Sequence, residues 1–181
     1  MPRILPGRRR DVGVPAWVFA VLAGRAIGTR PPNLFLTLAR HKPLFWGWLM
    51  FAGRLMPGGK LRRRESELCI LRVAHLRDCR YEFEHHRRLG RRAGVTEADV
   101  ERLVAGPGAD GWSPREGALL AAVDELHAGA DLGDAAWSRL RTHLDEREAI
   151  ELCMLVGHYE MLATVIAALR IQPDAARGAS G

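Results

Sequence analysis

"ESELCILRVAHLRDCRYEFEHHRRLG", Glu65 to Gly90, is the stretch whose reading decides the fold. Its first half is apolar at helical spacing, with Glu67 near the start and His75 near the end. Its second half places Cys79, Glu82 and His86 three and four residues apart, so that they share one side of a helix. Two helices joined this tightly form a hairpin and bring their facing stripes together. Glu67 meets His86 if the pair is antiparallel with its turns in step. A solvated helix face needs charge but no such selection of proton-exchanging groups. An exposed Glu–His pair four residues apart is also an ordinary helix stabiliser, so spacing leaves both a site and a decorated surface open.

Outward from this hairpin the chain continues to read as helix. Alternating Val/Ile/Thr runs are missing, and apolar residues recur at helical spacing. Capping signals punctuate the pattern at Thr96–Asp99, Ser113–Glu116 and Asp145–Glu148. Gly94, Gly106-Pro107 and Gly129 supply stops. The helices are expected near 15–28, 32–40, 43–56, 62–77, 79–93, 96–105, 114–129, 134–143 and 146–170, with a merger at Asp78 left open. "ELCILRVAH" (Glu67 to His75) is echoed by "ELCMLVGH" (Glu151 to His158), a match too short to establish a repeat. The reading is all-α, a single domain over 1–172, with a small polar tail at 173–181 expected to be disordered.

The 181 residues suffice for one buried core, and 48% hydrophobic with 27% charged residues is the balance of a soluble globular protein. A net charge of +6 is concentrated in arginine runs such as Arg8–Arg10 and Arg62–Arg64. Interleaved glutamates and the lack of any nucleic-acid motif argue against nucleic acid as a partner. Three cysteines make neither a disulfide framework nor a structural zinc spacing and suit a reducing cytosol, so a cytoplasmic location and no metal are expected. The apolar run from Val12 to Ala23 loosely mimics a secretory signal, but Pro15 fits the first turn of an amphipathic helix. "PLFWGWLMFAG" is too short to span a bilayer, and no membrane association is expected. Phe45, Trp46, Trp48 and Phe51 there call for a core or a subunit interface.

From Asn33 to Ile171 the chain resembles the carboxymuconolactone decarboxylase / alkylhydroperoxidase D-like family. The resemblance rests on R-E-x-E-L-x-I-L-R-V followed by Y-E-x-x-x-H, and on "AIELCMLVGHYEMLATVIAALRI" as a closing helix. It implies an all-α fold of the alkylhydroperoxidase D-like type built round a helical hairpin and assembled as a homotrimer or homohexamer. It also implies a small-molecule substrate and no cofactor. The peroxidase branch carries a glutamate and then C-x-x-C-x-x-x-H. Glu67, Cys79 and His86 fall at the glutamate, the first cysteine and the histidine, and Glu82 takes the place of the second cysteine. A disulfide cycle needs two neighbouring thiols, so this branch of the family, lacking the C-x-x-C pair, points to acid/base chemistry.

The expected catalytic set is therefore Glu67, Glu82, His86 and Cys79, with Glu82 orienting His86 and Glu67 completing the relay. Tyr81, His85 and Arg72 are candidate substrate contacts. The function expected is non-redox proton transfer on a small organic acid or lactone, by decarboxylation, isomerisation or lactone opening. Two alternatives stand beside it: thiol-dependent peroxide reduction through Cys79, and a helical oligomer without catalysis.

Overall fold

A computed structural model of the chain describes residues 1–176. Apart from an isolated bridge between Thr29 and Ala176, the regular structure among the described residues is helical. In chain order the helices are α1 (Arg9–Val12), α2 (Val14–Ile27), α3 (Asn33–Leu38), α4 (Lys42–Leu55), α5 (Arg63–Leu76), α6 (Arg80–Arg92), α7 (Glu97–Ala105), α8 (Pro114–Gly129), α9 (Asp134–Arg141) and α10 (Glu146–Leu169). The all-α expectation holds, with boundaries close to those read from the sequence. The addition is α1, a single turn too short to show a period. No merger occurs at Asp78, whose φ of 47° breaks the helix between α5 and α6.

The chain that reads as one domain divides into two compact units: Met1–Ala52 with the chain from Thr164 on, and Gly53–Ala163. The first unit packs Val12, Ala16, Ala20, Leu36, Ala39 and Phe45 into an apolar cluster. Phe19, Phe35 and Trp48 close round Phe45, with ring centroids 6.2, 6.2 and 6.1 Å from it. Gly24 is required where the chain after α2 turns back, since a Cβ there would lie 2.6 Å from Arg30 O. The expected loose tail is tied down at its start. Asn33 N donates to Asp174 Oδ1 (2.7 Å) and Arg30 N to Ala175 O (3.0 Å). The rest of that tail, 177–181, lies outside the described residues.

In the second unit α5 is the central element. Each residue from Glu65 to Ala74 is buried, against α6, α7 and α8. Leu68 and Leu71 meet Val95, Leu103 and Leu120 in one cluster. So deep a helix must satisfy its own charged groups, because an unpaired buried charge is expensive. Arg115 on α8 reaches Glu65 Oε1 (2.8 Å) and Glu148 Oε1 (2.7 Å), joining α5 to α10. Arg64 reaches Asp99 Oδ2 (2.8 Å) and Glu116 Oε1 (2.9 Å), and holds the Asp99 carboxyl well below its usual range. α10 is long and apolar enough to cross a membrane by length and composition alone. Its Ala149, Leu152, Leu155, Val156 and Leu162 are buried in the protein, as in a core helix.

Arg115→Ala would leave Glu65, which is 3% exposed, with only the Arg62 backbone N–H (3.2 Å) and a 3.9 Å approach of Arg62 Nε as partners among the described residues. We expect a loss of about 3 kcal/mol in urea-induced unfolding. A loss below about 1 kcal/mol would show that the ion pair is not what holds this end of α5.

Candidate functional site

The turn after α5 shapes the site. Asp78 in the left-handed region lets Cys79 N donate back to Ala74 O (2.8 Å), and Cys79 becomes the N-cap of α6. Glu82 then stands at the third helical position, where a glutamate side chain naturally folds back toward the cap. There its carboxylate accepts a hydrogen bond from the Cys79 thiol. Cys79 is 7% exposed and Glu82 2%. Glu82 Oε2 has no hydrogen-bond partner among the described residues.

One turn further along α6, His86 Nδ1 lies 2.8 Å from Glu67 Oε2 on α5. The antiparallel, in-step hairpin anticipated from the sequence is what brings them together. Arg63 Nη2 lies 2.7 Å from Glu67 Oε1, close enough for attraction though off the line of a good hydrogen bond. A carboxylate only accepts, so Nδ1 of a neutral His86 carries the hydrogen and Nε2 keeps its lone pair. From α10, Tyr159 sets its ring edge-on to His86, with centroids 5.0 Å apart and planes at 89°.

Burial separates the proton affinities of these groups. It pushes the Glu82 carboxyl up to about 8, an effect the nearby Glu160 charge reinforces. It pushes the Cys79 thiol up to about 11, even though backbone N–H groups of Glu82 and Tyr81 favour the thiolate. Tyr159 is raised well above its ordinary value by burial and by the charges of Glu82 and Glu67. Burial lowers His158 to about 4 and His85 to about 3, with the neighbouring His86 adding to both.

Of the expected residues, the structure brings Cys79, Glu82, His86 and Glu67 into one buried group, but it exchanges the roles of the two glutamates. Glu67 holds His86, while Glu82 turns back to Cys79 because of its place in the first turn of α6. Tyr81 and His85 stack on each other one turn apart, centroids 6.3 Å and planes 10°, next to His86. Arg72 is engaged elsewhere. It grips Asp124 through both carboxylate oxygens (2.7 and 2.8 Å) and donates to Leu103 O (2.7 Å), a structural tie from α5 to α7 and α8. Cys69 is buried and its thiol is pushed up to about 12. Sequence reasoning passed over Arg63 and Tyr159. Tyr159 directly follows the "ELCMLVGH" echo, and Arg63 precedes Glu67 by one helical turn; these were the available signals.

Residues 42–125 match the model of the carboxymuconolactone decarboxylase family. The uncharacterized protein YdfG of Bacillus subtilis (strain 168) is 28% identical over 99 residues, which is 54% of this chain and 67% of that protein. A peroxidase-related protein from Ralstonia eutropha JMP134, described as an alkylhydroperoxidase AhpD core, superposes with a TM-score of 0.83 at 18% identity. The match covers 95% of this chain and 92% of that one. The debrominase Bmp8 superposes with a TM-score of 0.80, also at 18% identity, over 94% and 91% of the two chains. At such identities these superpositions establish the fold.

The raised Glu82 predicts an unusual pH dependence. Below an unfolded value near 4.5 both states hold the proton; between there and about 8 only the unfolded chain releases it. Stability therefore falls as pH rises through that window. Glu82→Gln should remove this fall and leave the variant more stable than the parent at pH ~8, by about 2–4 kcal/mol in chemical denaturation. A variant less stable than the parent at that pH would show that Glu82 is ionised and well accommodated.

Proposed function

We propose that the chain, which matches the carboxymuconolactone decarboxylase family over residues 42–125, is a non-redox acid/base enzyme acting on a small organic acid or lactone. One observation carries the reading. A carboxyl that burial keeps protonated at neutral pH, with one oxygen unpartnered, shares a buried group with an imidazole whose Nδ1 is held by another carboxylate. A protonated carboxyl and an imidazole nitrogen with a free lone pair in one buried group can supply an acid and a base together.

His86 Nε2 is the base, taking a proton from a carbon next to a carbonyl or from a hydroxyl. Glu67 fixes the His86 tautomer and balances the imidazolium that forms. Glu82 is the acid, delivering its proton to the carbanion or enolate left by decarboxylation or isomerisation, or to the leaving oxygen of an opened lactone. Cys79 is a positioning residue, its thiol holding Glu82 in place. Glu82 standing where the peroxidase branch has its second cysteine, and a Cys79 thiol pushed up to about 11, disfavour disulfide cycling. A self-associated form, trimer or hexamer, belongs to the same reading. Ile150, Met154 and Met161, exposed along α10, are side chains suited to such contacts.

The test is a panel of lactones and β-keto acids followed by product NMR, with dithiol-dependent hydroperoxide consumption measured in parallel. His86→Ala and Glu82→Gln should each lower kcat by about 10²–10⁴-fold. Cys79→Ser should stay within about tenfold of the parent, since serine keeps a donor for Glu82. Turnover should also decline as pH rises through about 8, where Glu82 loses its proton. Thiol-dependent peroxide consumption that vanishes in Cys79→Ser would instead establish a peroxidase.

A further inference from the structure

Residues 1–52 carry eight arginine and lysine side chains against a single acid, Asp11, an excess larger than the whole chain's net charge of +6. The fold gathers much of this charge at one corner of the first unit. Arg8, Arg9 and Arg10 line an open depression with Gly13 and Val14, where α1 meets α2. Arg40 Nη1 and Arg10 Nε approach separate oxygens of Asp11, at 3.6 and 3.8 Å. Lys42, which opens α4, brings its Nζ within 3.6 Å of the place a Cβ on Gly13 would take. One carboxylate is thus shared by two arginines, and the corner stays strongly positive. Apolar side chains lead away from it in open rows. Val14, in the depression, starts a stripe on α2 that continues one turn apart through Val18 and Leu22, each half exposed. On α4, Trp46 sets its ring 6.3 Å from that of Phe19 on α2 and remains exposed, and Met50 one turn on is 71% exposed.

We propose that this face of the first unit docks on the surface of an anionic phospholipid bilayer. The arginines and Lys42 meet headgroup phosphates, while Val18, Leu22, Trp46 and Met50 enter the boundary between headgroups and acyl chains. Charge and apolarity together select the partner. Guanidinium forks match phosphate oxygens, and an indole suits an interface because its ring is apolar and its N–H is not. A nucleic-acid backbone would answer the cations but leave Leu22 and Met50 in water. A second copy docked through the same face would set like charges against each other. α2, 14 residues long, is too short to cross a bilayer, so the contact is with one leaflet. The short apolar runs that spoke against a membrane in the sequence speak only against a span, and a surface contact needs none. Docking there uses none of the buried proton-exchanging groups.

Flotation of the full chain with vesicles tests this, using phosphatidylcholine alone against phosphatidylcholine mixed with phosphatidylglycerol. Binding to the anionic vesicles should be about tenfold tighter or more than to the neutral ones, and should weaken by a similar factor as salt rises. Arg8→Gln, Arg9→Gln and Arg10→Gln combined should lower the affinity about tenfold or more. Val18→Ser with Met50→Ser should lower it about fivefold or more. These side chains are open to solvent, so the variants should keep the parent's thermal unfolding. Brominated lipid should quench tryptophan fluorescence in the parent, and less in Trp46→Phe, which reports insertion in an otherwise intact chain. Equal binding to both vesicle compositions, no binding to either, or an arginine variant that binds like the parent would overturn the proposal. Full affinity in the Val18 and Met50 variant would mean a purely electrostatic contact, of the kind nucleic acid makes, and would overturn it too. Loss of self-association in that variant, with no vesicle binding by the parent, would assign the face to a second copy instead.

Discussion

The 2.8 Å hydrogen bond between His86 Nδ1 and Glu67 Oε2 joins the buried α5 to the inner face of α6, and much else follows from the need to make it. It requires α5 and α6 to run antiparallel with their turns in step. That in turn needs a reversal within three residues, which Asp78 supplies by adopting a φ of 47°. It requires Glu67, fully buried, to sit on a helix surrounded by other helices. α7 and α8 provide that surround, and their arginine and carboxylate partners make the burial of so polar a helix tolerable. Arg115, Arg64 and Arg72 are in this sense the foundation of the site, although none of them is assigned a chemical step.

The same enclosure creates the difference between acid and base. Two glutamates lie a short way apart on facing helices and experience opposite surroundings. Glu67 has Arg63 and the His86 ring for partners, so its charge is answered. Glu82 has the Cys79 thiol and an unanswered oxygen, with the negative Glu160 nearby, so burial favours its neutral form. In the proposed reaction the residue at the place of a peroxidase thiol is the proton donor. The remaining thiol, pressed toward its neutral form by burial, supports that carboxyl and loses the thiolate character that redox cycling demands.

Much of this was legible in the sequence because the relevant signals are local. Helical period, capping pairs and stop residues located nine of the helices, and the spacing of Cys79, Glu82 and His86 marked one face of α6. What the sequence left ambiguous was set by packing. Glu82 and His86 are four apart and look like natural partners, yet the first-turn position of Glu82 sends its side chain back to the cap, while His86 reaches across the hairpin. Arg72 looks like a carboxylate binder, but its guanidinium is taken by Asp124, 52 residues away, a pairing no spacing rule displays. Tyr159 reaches the site from α10, so only the tertiary arrangement reveals it.

The most direct test of the site is the tautomer of His86, read by long-range proton–nitrogen NMR of the histidine rings in isotope-labelled protein, with His86→Gln for assignment. A neutral ring protonated at Nδ1 with a bare Nε2, and loss of that preference in Glu67→Leu, is the expected result. A ring protonated at Nε2 would mean that Glu67 does not hold His86 ready as a base, and would contradict the proton-transfer mechanism at its centre.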